Sequence, residues 1–308
     1  MKITQHHFYN VLPDITDYVA DRIVKYGMEH RIATPRERDR AILDMIQAVY
    51  HDDIPKAGPH RHPIWESGWA ENLNAFDPSC AGIELAKPKY HSKYQIARWK
   101  GNLVVPLSRG YEYNMLAVIG DWVFDRYLRD KQFVAEFGCG TGHNLFRVRD
   151  VNPEAMLYGL DWAESACRFI NLQSGAGAYG DPSRTRAERF DYFNPRDFCD
   201  IPSTGSAFVT VASLEQLGSD GWVKWVEWAI AKKPDICIHI EPIEEVLDDS
   251  VLLDNLSLGY FKKRNYLSGF LSALKKDYKD MVRVVEVVRT GVGSKFIEGY
   301  TVVVWSPV

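Results

Sequence analysis

The stretch VAEFGCGTGHNLF, residues 134–146, combines an apolar run, an acidic residue and three glycines at every second position. Its apolar start is typical of a buried strand, and the polar residues after the glycines are typical of the start of a helix. A strand that ends in a glycine-rich turn and opens a helix brings free backbone N–H groups and the positive helix end together. The stretch therefore predicts a site for a nucleoside-like ligand in an α/β fold.

Two carboxylates flank this glycine turn. Glu136 precedes it, and Asp161 ends the next apolar run, where an acid can accept hydrogen bonds from a ribose diol. The glycines are Gly138, Gly140 and Gly142, which gives the spacing E-x-G-x-G-x-G. A dinucleotide fingerprint needs a small residue where this chain has His143. A carboxylate beside the loop would also repel a pyrophosphate, whereas it can accept a hydrogen bond from an ammonium group.

Apolar and helical segments alternate from residue 131 onward. The strand candidates are residues 133–137, 156–160, 187–190, 207–212 and 236–240. Helical segments such as 163–173 and 221–232 lie between most of them, so we expect a parallel sheet covered on both faces. After a predicted helix at 267–278, the segments VRVVEVVRT and YTVVVWSPV predict an antiparallel hairpin that closes the sheet.

Several of these segments resemble the class I S-adenosylmethionine-dependent methyltransferases. VAEFGCGTG is similar to the first motif of that family, LYGLDWAES to the second and AERFDYFNP to the third. SAFVTVASLEQLG resembles the region of the fourth strand, and KKPDICIHIEP resembles the fifth strand. The resemblance covers roughly residues 111–308. It implies a Rossmann-like, seven-stranded, mostly parallel sheet with helices on both faces and S-adenosyl-L-methionine as cofactor. The resemblance does not extend to residues 1–110. Their proline-rich segment 52–106, with Trp65, Trp69 and Trp99, predicts long loops and short helices, so we expect a helical and loop-rich cap that acts as a substrate lid.

The resemblance also implies which residues bind the cofactor. Glu136 would accept from the ammonium group, Asp161 would hold the ribose and Asp191 would lie near the adenine. Arg109 is included because residues upstream of the first motif often contact the methionine carboxylate in relatives. The predicted set is Glu136, Gly138, Cys139, Gly140, Gly142, Asn144, Asp161, Trp162, Asp191, Tyr192 and Arg109.

Catalytic candidates follow the fourth and fifth strands, because reacting groups in such sheets lie at the carboxyl ends of the strands. Glu215 is a candidate general base or substrate-orienting carboxylate, and equally a helix-start acid that complements the helix dipole. Glu241 is the second candidate, with His239 on the same face of the strand. A lone histidine in an apolar strand is more often a packed, hydrogen-bonded residue. We predict no metal site, since the acidic run EPIEEVLDD and the pair in HRH are better explained as solvated side chains.

Composition narrows the class of protein further. The 308 residues carry a net charge of −4 with a pI near 6.2, which gives no sign of a nucleic-acid surface. The five cysteines are Cys80, Cys139, Cys167, Cys199 and Cys237. They form no CxxC pair, a pattern typical of reduced thiols in the cytosol. No apolar run reaches the length of a membrane span, so we expect a cytoplasmic protein without a membrane partner.

Together these features predict methyl transfer to a small polar molecule, first of all to a hydroxyl of a sugar-like or specialised metabolite. Nitrogen and carbon acceptors stay open, and a homodimer is compatible with the sequence. A non-catalytic cofactor-binding subunit is the alternative from another class of function. A nicotinamide-dependent oxidoreductase ranks lower because of His143. An RNA-modifying enzyme also ranks lower, since the sequence has no lysine-rich tail or stacking module.

Overall fold

The computed structural model describes residues 1–88, 94–195 and 201–308, which form helices around two sheets. Its helices are α1 (Gln5–Phe8), α2 (Asp17–Tyr26), α3 (Pro35–Tyr50), α4 (His62–Asn74), α5 (Ile83–Ala86), α6 (Tyr111–Tyr127), α7 (His143–Val151), α8 (Glu164–Gly175), α9 (Val223–Lys232), α10 (Leu252–Arg264) and α11 (Phe270–Lys276). Its strands are β1 (His30–Ile32), β2 (Ala97–Trp99), β3 (Asn102–Pro106), β4 (Phe133–Phe137), β5 (Met156–Asp161), β6 (Thr185–Arg189), β7 (Ser206–Val211), β8 (Ile236–Glu241), β9 (Val282–Val288), β10 (Val292–Ser294) and β11 (Thr301–Pro307).

The large sheet has seven strands in the order β6-β5-β4-β7-β8-β11-β9. Strands β4 to β8 pair with one another in parallel, and β11 runs antiparallel to both β8 and β9. The chain moves outward from β4 to β6 and then returns to β7 on the other side of β4. This reversal leaves a crevice at the carboxyl ends of β4 and β7, where ligands bind in open α/β sheets. The predicted Rossmann-like sheet with its antiparallel end is confirmed.

The core of the large sheet lies on both of its faces. In β4, Val134 packs in the same cluster as Trp122 of α6, whereas Phe137 packs on the opposite face with Trp225 of α9. Since both faces of these strands are buried, their sequences read as continuous apolar runs rather than as alternating ones. This is why the strand positions are visible in the sequence.

The N-terminal third contains more regular structure than the sequence predicted. Helix α3 begins with the capping pair Thr34 and Glu37, in which each side chain accepts from the backbone N–H of the other. Residues 52–106, which we expected to be long loops and short helices, also hold the 13-residue helix α4 and strands β2 and β3. Proline is compatible with α4 because Pro63 lies in its first turn, where the missing N–H costs nothing.

A second, four-stranded sheet has the order β1-β3-β2-β10. Its last strand, β10, lies in the loop between β9 and β11 and pairs antiparallel with β2. The division of the chain at residue 110 stays a prediction, and this sheet crosses it. Within residues 1–88, 94–195 and 201–308, no helix has the length and apolar character needed to cross a bilayer.

Candidate functional site

The glycine loop leads from β4 into α7, and its three glycines all have left-handed backbone conformations. The φ angles are 65° at Gly138, 53° at Gly140 and 72° at Gly142. A Cβ on Gly138 would lie 2.4 Å from the Cβ of Ser213, and one on Gly140 would lie 2.8 Å from the Trp69 ring. Both the conformation and the available space therefore require glycine at these two positions.

A cavity that is partly open to solvent lies beside this loop, at the carboxyl ends of β4, β5 and β7. The predicted cofactor residues that line it are Glu136, Gly138, Cys139, Gly140, Asn144, Asp161, Trp162 and Tyr192. Gly142 lies behind it and faces the packed side chains of Ile170 and Tyr179. Residues distant in sequence thus meet at the crevice that the strand order creates.

Glu136 presents an acceptor atom to this cavity that nothing in the described chain satisfies. Its side chain is 3% exposed, and its Oε1 accepts a 2.6 Å hydrogen bond from Nδ2 of Asn144. Its Oε2 is buried without a partner among the described residues. Burial raises the pKa of this carboxyl to about 8. A buried carboxylate oxygen in this situation fits a cationic group such as an ammonium.

Asp161 links the glycine loop to the end of β5. Its Oδ2 accepts from the backbone N–H of Gly140 at 2.8 Å, and its Oδ1 accepts from that of Ala163 at 2.9 Å. Burial raises its pKa to about 6. Each carboxylate oxygen has a further acceptor site, so Asp161 can hold the loop and still accept from a diol in the cavity.

The end of the cavity next to β5 and β6 is aromatic. The carbonyl of Trp162 accepts from Nε2 of His62 at 3.1 Å, and the Trp162 ring lies 6.2 Å from that of Phe193. The hydroxyl groups of Tyr192 and Ser213 are 3.0 Å apart. Asp191, predicted near an adenine, is exposed and accepts from the backbone N–H of Phe193, so it stabilises the turn beside the cavity.

Helix α4 covers the cavity with two tryptophans of the expected lid segment that were not among the predicted site residues. The rings of Trp65 and Trp69 lie 5.8 Å apart in a stacked arrangement, and both residues line the cavity. Two hydrogen bonds to Ser165 of α8 hold this helix in place. The Oε1 of Glu66 accepts from the backbone N–H of Ser165 at 3.1 Å, and the backbone carbonyl of Glu66 accepts from the Ser165 hydroxyl at 2.9 Å. The available signal was the four-residue spacing of the tryptophans, which places both on one side of a helix.

His239, a catalytic candidate, lies in the core instead of the cavity. Its Nε2 accepts from Nε1 of Trp305 at 2.8 Å, and its Nδ1 lies 2.8 Å from the hydroxyl of Thr210. Since the indole can only donate, Nδ1 carries the ring proton. Burial lowers the pKa of His239 to about 3, and its side chain has no exposed surface. Its position is therefore not compatible with the predicted catalytic role.

The other two candidates, Glu241 and Glu215, are neighbours in the structure. Glu241 is fully buried, and its Oε1 accepts from the backbone N–H groups of Ser213 at 3.0 Å and Leu214 at 3.1 Å. It therefore holds the turn after β7 rather than contacting the cavity. Glu215 belongs to that turn and accepts from Nε2 of Gln216 at 2.9 Å. Burial raises the pKa of Glu215, and burial together with the negative charge of Glu215 raises the pKa of Glu241.

Arg109 lies away from the cofactor cavity and lines a separate groove that includes Arg31 and Tyr94. The small sheet explains this placement. Strand β3 pairs with β1, with Pro106 opposite His30, so the residues that follow β3 remain beside β1. The predicted contact between Arg109 and a methionine carboxylate is thus not made from this position.

The acidic run after β8 has a structural use. The Oε1 of Glu244 accepts from Gly269 N–H at 3.0 Å, and the Oε1 of Glu245 accepts from Ser272 N–H at 2.9 Å, so both stabilise the start of α11. Across the described ranges, no group of three or more His, Cys, Asp or Glu side chains is arranged to hold a metal ion.

The cysteines in the described ranges are free thiols. Cys139, Cys167 and Cys237 are buried and Cys80 is exposed, whereas Cys199 lies outside the described residues. Burial raises the pKa of the three buried thiols, which keeps them protonated and unreactive.

Comparison with protein-family models gives no match, and comparison with curated proteins gives none either. Many solved structures are similar in fold. An O-methyltransferase from neocarzinostatin biosynthesis, in complex with S-adenosylmethionine and 2-hydroxy-5-methyl naphthoic acid, is 10% identical, with 89% of this chain and 70% of that chain covered and a TM-score of 0.47. Mitomycin 7-O-methyltransferase MmcR is 17% identical, with coverages of 89% and 69% and a TM-score of 0.48. Small RNA methyltransferase HEN1 is 13% identical, with coverages of 67% and 28% and a TM-score of 0.48.

The similarity to these structures concerns the fold alone. With identities and TM-scores this low, the fold is assigned from the strand order and register of the chain itself. The sheet order β6-β5-β4-β7-β8-β11-β9 with β11 antiparallel is that of the class I methyltransferase fold.

Proposed function

We propose that this chain is an S-adenosyl-L-methionine-dependent methyltransferase that acts on a small polar molecule, first of all on a hydroxyl group. The observation that carries the proposal is the buried Oε2 of Glu136, which has no partner among the described residues and lies beside a glycine loop that leaves no space for side chains at Gly138 and Gly140. The cofactor has an ammonium group, a ribose diol and an adenine ring. The cavity offers a carboxylate, a second carboxylate on the next strand and an aromatic end, in that spatial order.

A nicotinamide dinucleotide fits the same cavity less well. Its pyrophosphate would lie against the glycine loop and repel the ionised form of the buried Glu136, whereas an ammonium group would stabilise that form. His143 also fills the position where a dinucleotide loop has a small residue, and it lines the cavity. The geometry therefore favours a cofactor with a cationic end.

When bound, the cofactor supplies an activated methyl group, and the chain supplies orientation, exclusion of water and a proton acceptor. Glu136 would bind the ammonium, and Asp161 would bind the ribose diol. The tryptophans of α4 cover the cavity and exclude water from it. Glu215, which Glu241 keeps in place through the turn after β7, would take the proton of the acceptor hydroxyl.

A panel of ligands tests the cofactor assignment. S-adenosylmethionine and S-adenosylhomocysteine should each raise the melting temperature, since ligand at a hundredfold its Kd adds roughly 2.7 kcal/mol, whereas NAD should not. Asp161→Asn should remove most of the shift, and Asp39→Asn, an exposed position on α3, should leave it intact. Stabilisation by NAD alone would overturn the proposal.

Turnover separates an enzyme from a cofactor-binding subunit. Transfer of a labelled methyl group from the cofactor to small molecules of a cell extract should be detectable with the wild-type protein and lost with Asp161→Asn. Cofactor binding without transfer to any fraction of the extract would favour the non-catalytic alternative. We also propose a cytosolic location on the strength of the free thiols, and a small-molecule rather than nucleic-acid acceptor on the strength of the net charge of −4.

A further inference from the structure

A pair of arginines lies beyond the cofactor cavity, on the side of β7 and β8. Arg61 ends the short turn before α4, and Arg264 ends α10. Among the residues the structure describes, neither guanidinium forms an ion pair with a carboxylate, and the Nε atom of each is buried without a hydrogen-bond partner. Arginines that are half-buried without a carboxylate are unusual, because burying an unpaired charge is costly.

Hydrogen bonds to the segment 55–58 bring Arg61 and Arg264 close to each other. The guanidinium of Arg264 donates to the carbonyl of Pro55, and its own carbonyl accepts from Ala57 N–H at 2.7 Å. Gly58 N–H donates to the carbonyl of Gln216 at 2.9 Å, and the carbonyl of Gly58 accepts from Arg61 N–H at 3.1 Å. The arginines therefore lie against the turn after β7 that carries Glu215 and borders the cofactor cavity.

One aromatic ring lies beside each of the two guanidinium groups. Arg61 lies 5.9 Å from the centre of the Trp65 ring, and Arg264 lies 5.1 Å from that of Tyr266. Trp65 also lines the cofactor cavity, so the ring is shared between the two regions. Flat faces next to a planar cation suit a ring or a sugar that carries an anionic group.

The charged groups around the two guanidinium groups favour the binding of an anion. Burial, and then the positive charge of Arg264, lower the pKa of Arg61, as expected for two cations close together. Burial raises the pKa of the nearby Glu215 although the charge of Arg264 lowers it, and burial together with the charge of Glu215 raises the pKa of Glu241, so the two acids carry fewer than two negative charges near neutral pH. Both guanidinium groups stay charged, and the cluster has an excess of positive charge.

We propose that Arg61 and Arg264 bind an anionic group of the methyl acceptor, which is therefore a small hydroxylated molecule with a carboxylate or a phosphate. This inference rests on the proposed methyltransferase function. The paired planar guanidinium groups match the two oxygens of either anion. An acceptor held there has its hydroxyl beside Glu215 and directed towards the cofactor cavity, with its ring against Trp65 or Tyr266.

Binding of simple probes in the presence of S-adenosylhomocysteine tests the inference. The probes are 4-hydroxybenzoate and phenyl phosphate, with the neutral 4-hydroxybenzamide as their uncharged counterpart. We expect at least one anion to bind about tenfold or more tightly than the amide, the gain typical of hydrogen bonds to a charged group. The tighter of the two anions identifies whether the acceptor carries a carboxylate or a phosphate.

Three variants locate the interaction. Arg61→Gln and Arg264→Gln should each weaken the better anion about tenfold and leave the amide unchanged. Lys262→Gln removes the same charge from an exposed position on α10 and should have no effect. Arg264 also supports Pro55, so its variant is checked by melting temperature. The side chain of Arg61 donates to no backbone carbonyl among the described residues and gives the cleaner test.

The outcomes separate the two proposals. If S-adenosylhomocysteine binds every variant equally but the anions bind no better than the amide, the anion site is overturned and the cofactor assignment stands. An equal loss of anion affinity in Lys262→Gln and Arg61→Gln would also overturn it, because only the net charge would matter. If the wild-type protein fails to bind S-adenosylhomocysteine, the proposed function itself fails.

Discussion

Replacing Glu136 with Gln should make the free protein more stable and its cofactor binding weaker. The carboxyl is fully buried, one of its oxygens has no partner within the described part of the chain, and its pKa rises from an ordinary value of 4.5 to about 8. Gln has almost the same shape, and its amide oxygen can still accept from Asn144. The variant thus removes an ionisable group whose charged form is destabilised by burial, and it keeps the packing of the side chain.

The size of the effect follows from proton linkage. Between pH 4.5 and about 8, the folded state holds a proton on Glu136 that the unfolded chain releases. The free energy of unfolding of the wild-type protein therefore falls as the pH rises through that window, by about 1.4 kcal/mol per pH unit. At pH 7, retention of this proton lowers the free energy of unfolding of the wild-type protein by about 3 kcal/mol, and Glu136→Gln should recover about that much. Near pH 4.5, the two proteins should be equally stable.

Urea unfolding between about pH 5 and pH 8 measures this difference, and titration calorimetry measures the ligand. S-adenosylhomocysteine should bind Glu136→Gln about 10- to 100-fold more weakly, since a hydrogen bond between charged groups is lost. Adenosine, which lacks the amino-acid part, should bind both proteins equally. Glu71→Gln makes the same change at an exposed position of α4 and serves as control. A parallel pH slope in wild type and variant, or unchanged affinity for S-adenosylhomocysteine, would refute the role given to Glu136.

Three further substitutions test the site. Gly140→Ala should abolish S-adenosylhomocysteine binding in calorimetry and lower stability by about 1–2 kcal/mol for the left-handed backbone alone, and retained affinity would contradict the close approach of a ligand. Glu215→Gln should lower kcat about 10²- to 10⁴-fold without changing cofactor affinity. Because burial raises the pKa of Glu215, the wild-type rate should rise with pH through neutrality and the variant rate should not; equal pH–rate profiles would exclude it as the base. His239→Ala should cost about 2–6 kcal/mol in urea unfolding, since Thr210 and Trp305 each lose a buried partner, while kcat of the folded enzyme stays normal. A large loss of kcat at unchanged stability would restore His239 as a catalyst.

The large sheet was predictable because its strands are buried on both faces and stand out as apolar segments. The small sheet was not, since β2 and β10 are three residues long and their pairing joins Trp99 to Val292. Segments of three residues are too short to show the two-residue alternation of a strand, and their pairing depends on the whole fold. Helix α4 was missed for a similar reason: it begins among prolines and buries parts of several faces, so its apolar residues show little helical periodicity.

The cofactor cavity was largely predictable, because the glycine loop and Asp161 are local features of strand ends. The surroundings of the catalytic candidates were harder to predict from the sequence. Strand alternation correctly placed His239 and Glu241 on one face of β8, but it could not show that His239 is covered by Trp225 and Phe270. No feature of the sequence indicated that Arg61 and Arg264 lie close together, since their proximity is created by backbone hydrogen bonds between segments about 200 residues apart in the chain.

The pairing of β2 with β10 has a consequence for the order of events during synthesis. A ribosome adds about 5–20 residues per second, so β1, β2 and β3 emerge many seconds before the segment that completes their sheet. Until Val292–Ser294 has been made, Ala97–Trp99 is an open edge that another nascent chain can pair with. Chaperone demand should therefore be greatest for ribosome-bound fragments that end before residue 292.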